Sequence, residues 1–518
     1  MKKMKYRHMK HRPMMYRIKK SCLSTLLLSV PLLLFFGQTG VCSNTSLTVN
    51  LKEKAVSLDK APKNSKMYGI TVNLPGASHL AYATRIDNKM AVHVDGKKGP
   101  DFDAIAKGTP LFSVEKDRVA YIVYENKKAF TVVDGKKGPV FDGVGDFTFS
   151  PDGTAYAYRI QEEKKQAVVL NGKRGELFDF INGNPVFSPD STQVAALVAN
   201  KKEWFAVVNG KKYGPYDGVK EPVFSPDSKR FAFAAQKGIR WHLVTDGEEG
   251  KGYENVTVIT WSPDSNHLAY VAQASKMLFI VEDGKEHEAY KTVSTPLFSP
   301  DSTHLSYPAQ KGKKWVTVTD GKEGPRFDQL GPSVYSGDSS RLAYVGIKKE
   351  KPVMVINGKK QKKYDSMGMP VFSPDGKHLA YRAFNKGRWF MVFDGIKGKD
   401  YLEVKRPVFS PDSSKVAYMA ISEDTLKMVM VVNDEEQTPF DAIGRPWFSP
   451  DSKSLAYTVL VGEKWGVCVD GAVTENKYTG FLKGVPLVYD SNTSLHGLAL
   501  QETPETEFFR IEVEIDRG

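Results

Sequence analysis

A chain of 518 residues exceeds one ordinary hydrophobic core, and its 41% hydrophobic and 26% charged residues are typical of a soluble globular protein. This composition excludes a disordered chain and a polytopic membrane protein, and three cysteines exclude a disulfide-stabilised scaffold. The net charge of +13 is concentrated in residues 1–43, which hold nine lysines and arginines and no acidic residue, so that +4 remains on the rest. The basicity therefore says little about the partners of the remaining chain, and no nucleic-acid partner is expected.

Residues 1–43 have the pattern of an export signal. A basic segment is followed by an apolar stretch from Cys22 to Phe36, whose 15 residues fit a signal sequence better than the ~20 that a transmembrane helix needs. We expect cleavage near Ser43, a periplasmic or extracellular location, and no transmembrane span in the mature chain. A membrane anchor, through an uncleaved N-terminus or a lipid on Cys42, is the alternative, although Thr39 and Val41 make a poor lipid-attachment motif.

The remaining sequence repeats one motif twelve times. Successive copies are 37 to 39 residues apart. A period held this closely means that each copy is one supersecondary unit that stacks on its neighbours. Phe-Ser-Pro-Asp or a close variant stands at 149–152, 187–190, 224–227, 261–264, 298–301, 335–338, 372–375, 409–412 and 448–451, with degenerate copies at 75–76, 112–115 and 489–490.

Each unit is predicted to contain four short antiparallel strands. The first ends in the Phe-Ser-Pro-Asp turn, where proline presets φ and the aspartate bonds nearby N–H groups. The second contains Leu-Ala-Tyr, as at 268–270, and the third is aromatic and β-branched, as at 315–319. The third strand ends in Asp-Gly or Asn-Gly, which favours a type I′ hairpin into a short fourth strand. No segment shows a sustained helical periodicity, so the predicted fold class is all-β.

Four antiparallel strands repeated in tandem are the blade of a β-propeller. The Phe-Ser-Pro-Asp and Leu-Ala-Tyr motifs resemble the WD40-like propeller repeat of the TolB type, shared with the N-terminal propellers of prolyl-oligopeptidase-like enzymes, over roughly residues 66–515. The resemblance implies the propeller fold. It gives little information on function, because the motif residues build the blade. The copies at 113–115, at Gly337 and near Asp490 depart from the pattern, so the sequence does not fix where those blades begin and end.

Twelve repeats exceed the usual 4–8 blades of one ring. We expect two six-bladed rings, residues 44–294 and 295–518, divided after the irregular segment 286–293. A 5+7 or 7+5 split and one oversized ring stay open, because the repeat steps show no linker. The last repeat has a third strand at 508–515 and no fourth strand after it. An N-terminal segment, 48–51 or 68–72, could supply that strand, close the ring and remove an edge prone to aggregation.

The candidate chemical groups are interpreted mainly as structural. The aspartate of Ser-Pro-Asp is predicted to be a turn residue, and Cys468 a small core residue. No Gly-x-Ser-x-Gly, phosphate-binding or dinucleotide motif occurs, so we predict no catalytic residue, metal or cofactor. Four histidines share one exposed repeat position without the spacing of zinc ligands: His79, His267, His304 and His378. The aspartates of Phe/Tyr-Asp are interpreted as caps of the connection from the fourth strand to the first: Asp103, Asp142, Asp179, Asp217, Asp328, Asp365 and Asp441.

Basic residues follow several of the Asp-Gly and Asn-Gly turns. Every hairpin between third and fourth strands points to the same face of a propeller, so these bases are predicted to form a positively charged rim. The competing interpretation is that they are solvated residues that protect strand edges. The candidate rim consists of Lys97, Lys98, Lys136, Lys137, Lys211 and Lys212, and the same pattern recurs at Lys173, Arg174, Lys359 and Lys360.

The sequence favours an exported, non-enzymatic propeller that acts as a binding or scaffold module for a protein or an anionic polymer. The enzyme alternative, a lyase or hydrolase with its site in a ring mouth, needs one or two blades with long, unusual insertions. The repeat steps, however, vary by at most two residues. A TolB-like envelope assembly factor is a further alternative.

Overall fold

The chain forms short antiparallel β-strands. The computed structural model describes residues 49–475, 477–502 and 505–517. In those residues the named elements are all β-strands. The predicted export signal, with Cys22 and Cys42, lies outside the described residues. The strands form twelve antiparallel sheets arranged in a ring, so the protein is a β-propeller of twelve blades, as the repeats predict.

Each blade has an innermost, a second, a third and an outermost strand, and the innermost strand is split into two pieces in seven blades. Blades 1 to 4 consist of Lys66–Val72, Leu80–Ile86, Lys89–Val94 and Lys97–Lys98; Ala104–Ile105, Leu111–Phe112, Val119–Glu125, Lys128–Val133 and Lys136–Lys137; Gly143–Phe149, Tyr156–Glu162, Lys165–Leu170 and Lys173–Arg174; Phe180–Phe187, Val194–Asn200, Glu203–Val208 and Lys211–Tyr216.

Blades 5 to 8 consist of Gly218–Phe224, Phe231–Lys237, Arg240–Thr245 and Glu248–Tyr253; Asn255–Trp261, Leu268–Ala274, Met277–Glu282 and Lys285–Glu286; Thr292–Val293, Leu297–Phe298, Leu305–Lys311, Lys314–Thr319 and Lys322–Glu323; Gln329–Leu330, Val334–Tyr335, Leu342–Lys348, Lys351–Ile356 and Lys359–Lys363.

Blades 9 to 12 consist of Ser366–Met367, Val371–Phe372, Leu379–Asn385, Arg388–Phe393 and Ile396–Lys397; Glu403–Val404, Val408–Phe409, Val416–Ile421, Met428–Val432 and Glu435–Glu436; Ala442–Ile443, Trp447–Phe448, Leu455–Val461, Lys464–Val469 and Ala472–Val473; Gly480–Phe481, Val488–Ser491, Ser494–Gln501, Glu507–Arg517 and Val49–Lys60.

The hairpins between third and outermost strands are the predicted type I′ turns. In blade 1, Asp95 has φ 45° and Gly96 has φ 79°. Both residues of a type I′ turn need positive φ, which aspartate and asparagine tolerate and glycine adopts freely. All ten predicted Asp-Gly and Asn-Gly pairs have this conformation. The local sequence therefore determines where each outermost strand begins.

The hydrophobic core lies between blades. In Leu-Ala-Tyr of blade 6, Ala269 is fully buried because blade 7 packs directly on it. Ala269 and Ile280 of blade 6 share one cluster with Val293 and Tyr307 of blade 7. Eleven further clusters join the other pairs of neighbouring blades in the same way, including blade 12 with blade 1. A sheet buries both of its faces only by being part of this ring.

The twelve blades form one ring, which is the single oversized ring that the sequence left open. The expected division between residues 294 and 295 falls inside the cluster that joins blades 6 and 7, so the packing continues across it. The described residues form one compact unit. Blade 12 packs on blade 1, where the rings of Phe508 and Tyr82 lie 5.3 Å apart. The even repeat step gives each neighbouring pair of blades the same interface, and this is the physical reason why the packing continues from blade 1 to blade 12 without a break.

The N-terminal strand closes the ring, as predicted. Val49–Lys60 is the outermost strand of blade 12 and pairs antiparallel with Glu507–Arg517 along its length. Of the two segments that the sequence offered, the first is therefore the closing strand. The second, within Lys66–Val72, is the innermost strand of blade 1.

Deletion of residues 49–60 is expected to destabilise the ring and to cause self-association. The deletion removes the apolar contacts of Val49 and Leu51 and leaves the strand Glu507–Arg517 as a long unpaired edge. Calorimetry should show a lower melting temperature, and sedimentation should show association that rises with concentration. A chain that begins at residue 44 is the control. A deletion variant that stays monomeric and keeps the melting temperature of this control would contradict the closing role.

Candidate interaction surface

The six lysines of the predicted rim lie on the outermost strands of blades 1, 2 and 4. Each pair follows an Asp-Gly or Asn-Gly turn. Consecutive residues of a strand point to opposite faces of the sheet, so the first and second lysine of each pair have different surroundings. All six side chains are exposed: Lys97, Lys98, Lys136, Lys137, Lys211 and Lys212.

The second lysine of each pair is bound to a carboxylate. Lys98 Nζ lies 2.7 Å from Asp101, Lys137 Nζ 3.4 Å from Glu125, and Lys212 Nζ 2.6 Å from Glu176. Exposed pairs of this kind add little stability, yet each carboxylate offsets the positive charge beside it. The second lysines therefore contribute less to a positive rim than the sequence suggests.

The first lysine of each pair has no carboxylate within ion-pairing distance among the described residues. Aligning the blades on the Asp/Asn-Gly turn shows four more exposed lysines at this position that also lack such a partner in the described chain. We call these residues the first-position lysines: Lys97, Lys136, Lys173, Lys211, Lys285, Lys322 and Lys359. Sequence reasoning overlooked Lys285 and Lys322 because each precedes a glutamate instead of a second base. Alignment on the glycine of the turn would have found them.

The first-position lysines form two arcs and not a complete ring. They occupy blades 1 to 4 and blades 6 to 8, and Glu248 stands at the same position in blade 5. Blades 9, 10 and 11 have Ile396, Glu435 and Ala472 there. The charge is densest on blade 8, whose exposed outermost strand Lys359–Lys363 contains four lysines.

The Ser-Pro-Asp aspartates are turn residues, as predicted, and they also connect the blades. Ser225 Oγ donates to Asp227 at 2.6 Å, and the same carboxylate accepts the N–H of Lys229 at 3.1 Å. The N–H of Asp227 donates to Ser265 Oγ of the next blade at 2.9 Å. Equivalent bonds between blades join Asp152 to Ser191, Asp190 to Ser228, Asp264 to Ser302, Asp301 to Ser339, Asp375 to Ser413 and Asp412 to Ser452.

Hydrogen bonds hold these carboxylates in the charged form. The Ser225 hydroxyl, followed by the N–H of Lys229, lowers the pKa of Asp227 below its usual value. The serines before Asp264 and Asp301 lower the pKa of those two carboxyls in the same way. The shifts come from turn geometry, so they indicate a structural role for the motif.

The Phe/Tyr-Asp aspartates are also structural, but they cap a different turn from the one predicted. Each accepts a backbone N–H from the hairpin between the second and third strands of the next blade. Glu254 does the same with Ser275 in a repeat that lacks the aspartate. The bonds run to Asp103 from Asn126, Asp142 from Glu163, Asp179 from Lys201, Asp217 from Gly238, Asp328 from Lys349, Asp365 from Lys386 and Asp441 from Gly462.

The four repeat histidines bind the aspartates of the Asp-Gly turns. His267 Nδ1 lies 2.7 Å from Asp283, and this contact raises the pKa of His267. The other pairs are His79 with Asp95, His304 with Asp320 and His378 with Asp394. No group of three or more His, Cys, Asp or Glu residues in the described chain is placed to hold a metal ion.

Cys468 lies in the core between blades 10 and 11 and is fully buried. Burial raises the pKa of its thiol, which keeps it protonated and inert. No helix among the described residues has the length and hydropathy to cross a membrane.

No family model and no curated protein matches this sequence. Similar solved structures include a eukaryotic initiation factor, at 14% identity and TM-score 0.34, with 63% of this chain and 96% of that chain covered. TolB from Acinetobacter baumannii has 14% identity, TM-score 0.22 and coverage of 50% and 79%. The β-propeller domain of the Trilobed protease from Pyrococcus furiosus has 15% identity, TM-score 0.24 and coverage of 57% and 94%. The class of this protein, a β-propeller repeat protein, is defined by its own twelve sheets.

The lowered pKa values of the Ser-Pro-Asp carboxylates predict that the protein loses stability in acid. Their folded-state pKa lies below the ordinary value of 3.8, so their contribution is complete above that value and disappears as the pH falls through the folded pKa. The free energy of unfolding, measured by denaturant titration, should fall steeply below about pH 4. The triple variant D227N/D264N/D301N should show a shallower fall.

A matched control removes three exposed acids outside the motif, as D87N/E163Q/E203Q. This control should keep the acid dependence of the unchanged protein. Equal slopes for the two triple variants would show that the turn carboxylates do not carry the effect.

Proposed function

We propose that this protein is an exported, non-enzymatic propeller that binds an anionic polymer through the first-position lysines. The observation that carries the proposal is that seven exposed lysines occupy one repeat position and have no carboxylate partner among the described residues. Equivalent positions in neighbouring blades present these charges at a regular spacing. A long anionic chain can contact several of them at once.

The affinity of such a surface comes from the number of contacts. One exposed lysine contributes little to binding, because water and salt screen its charge. Several lysines on one rigid ring act together, since the first contact raises the effective concentration of the next. The second lysines add less, because their carboxylate partners compete with the ligand.

A binding role is supported by the uniformity of the blades. The same Ser-Pro-Asp turn and the same Asp/Asn-Gly hairpin recur around the ring, and their carboxylates are occupied by bonds that hold the turns. A catalytic site needs a group of different residues at one place. The resemblance of the repeat to the TolB type favours a second candidate, an envelope assembly factor whose partner is a protein.

Export is part of the proposal and is tested on the N-terminus. The basic segment and the apolar stretch of residues 1–43 predict a mature chain that begins near Asn44. N-terminal sequencing of protein recovered outside the cytoplasm should therefore read from that position. Retention of Met1, or an acylated Cys42, would contradict cleavage at this site.

Replacing unpaired lysines should weaken anion binding more than replacing paired lysines. We compare K97Q/K136Q/K211Q with the matched control K98Q/K137Q/K212Q, which loses the same net charge from the same three blades. On a heparin column the first variant should elute at clearly lower salt than the control. Both should keep the melting temperature of the unchanged protein, because each exposed substitution costs at most about 0.5 kcal/mol.

Salt supplies the second measurement, since the Debye length falls from about 10 Å at 0.1 M to about 3 Å at 1 M. Binding of the unchanged protein to heparin and to teichoic acid should weaken steeply over this range, and a variant with all seven lysines changed to glutamine should not bind. Elution of both triple variants at the same salt, or no retention of the unchanged protein, would overturn the proposal.

A further inference from the structure

Five tryptophans occupy one repeat position at the opposite end of the blades from the Asp/Asn-Gly turns. Each is the second residue of a third strand, next to the hairpin that connects it to the second strand. Five of the seven tryptophans of the chain are at this position, whereas other blades have Met90, Ala129, Gln166 or Leu278 there. The five are Trp204, Trp241, Trp315, Trp389 and Trp465.

Three of these rings have an aromatic or cationic side chain against them. The ring of Phe180 meets that of Trp204 edge to face at 5.9 Å between centroids. Lys220 Nζ lies 4.1 Å from the centroid of Trp241, and the guanidinium of Arg382 lies 4.8 Å from that of Trp389. No aromatic or cationic group stacks on Trp315 among the described residues.

A cavity of about 680 Å³ lies beside Trp315, between blades 7 and 8. The fourth residue of the second strand lies beside this space and differs between blades. Arg382 in blade 9 is at this position, and its guanidinium reaches the carbonyl oxygen of Val404 in the next blade, at 3.0 Å. Arg159 of blade 3 reaches the next blade in the same way. Blade 7 has Pro308 there, and Gly331, between the two pieces of the innermost strand of blade 8, has no side chain, so neither residue fills the groove.

The lining of this cavity is uncharged and combines apolar side chains with a few polar ones. The half-buried ring of Trp315 shares the lining with the hydroxyl side chains of Ser294 and Thr295 and the amide of Gln329, and none of the residues that line the cavity carries a charge. Hydroxyls and amides both donate and accept, so they suit a ligand rich in hydroxyl groups. The indole face suits the C–H groups of a saturated ring.

The geometry points to a binding site for a neutral oligosaccharide in this cavity. One sugar ring packs its C–H face on Trp315, and its hydroxyls bond to Thr295 and Gln329. A cavity of this size, with one aromatic wall and a few convergent polar groups, has the form of a small-molecule site. The site is separate from the first-position lysines, which lie at the other end of the blades, and it does not depend on them.

A second cavity, between blades 11 and 12, supplies an internal comparison. It has about 470 Å³ and is lined by Trp465 and by Thr458, which stands where blade 7 has Pro308. Arg445 and Lys483 also line it, so this cavity is positively charged. A neutral ligand should therefore prefer the cavity of blade 7.

The test measures binding of cellohexaose, maltohexaose and mannohexaose by saturation-transfer NMR and by calorimetry. At least one should bind the unchanged protein with an affinity that does not change between 0.1 M and 1 M salt. P308R places in blade 7 the arginine that fills this groove in blade 9, and W315A removes the stacking face. Each variant should weaken binding at least tenfold.

Two variants serve as controls. W389A removes a tryptophan that Arg382 already covers, and T458R fills the second cavity, so both should bind as the unchanged protein does. Because P308R copies a side chain that other blades contain, it should keep the melting temperature even if W315A does not. Failure of all three sugars to bind, unchanged binding by P308R, or binding of decaproline in place of the sugars would overturn the proposal. The heparin measurements are independent of these outcomes.

Discussion

The packing of each blade on the next is the interaction on which the rest of this structure depends. A four-stranded sheet of about 37 residues has two apolar faces and cannot bury either of them alone. Alanine in Leu-Ala-Tyr, as at Ala269, lets the next sheet approach closely and is fully buried there. The bond from the N–H of Asp227 to Ser265 sets the position of one turn on the next. Both contacts recur at successive interfaces and lead to a ring.

A ring built this way is stable only when its first and last blades meet. Blade 12 has three strands from the C-terminal end of the chain and takes its fourth, Val49–Lys60, from the beginning of the described chain. This pairing joins the two ends of the propeller, and the packing of Phe508 on Tyr82 continues the core across the junction. Separation of any one interface would expose apolar surface and strand edges on both sides.

Function is then left to positions that packing does not constrain. The first-position lysines lie on outermost strands, where a side chain can change without affecting the core. The cavity beside Trp315 lies where blade 7 has Pro308, at the position from which Arg382 of blade 9 reaches the next blade. The charged surface and the uncharged cavity lie at opposite ends of the blades, so one ring can carry both without competition between their ligands.

Local sequence was sufficient wherever a feature depends on neighbouring residues. Asp95 and Gly96 specify their hairpin through backbone conformation, and the repeat period specified twelve four-stranded units. The closing strand was also predictable, because an unpaired third strand at the end of the chain needs a partner. The aspartates of Phe/Tyr-Asp were recognised as caps, but the turn that they cap belongs to the next blade, which depends on how blades stack.

Only the tertiary structure decided the features that depend on residues far apart in the chain. The number of rings follows from whether blade 1 meets blade 6 or blade 12, and identical interfaces leave no local signal for that choice. The sequence placed Lys97 and Lys98 together in the rim, whereas the fold leaves Lys97 exposed and pairs Lys98 with Asp101. The cavity of blade 7 could not be predicted either, because Pro308 and Trp315 line a cavity only when the next blade provides the opposite wall. The sequence determines the strands and turns of each blade, and the contacts between blades determine which of its side chains stay accessible to a ligand.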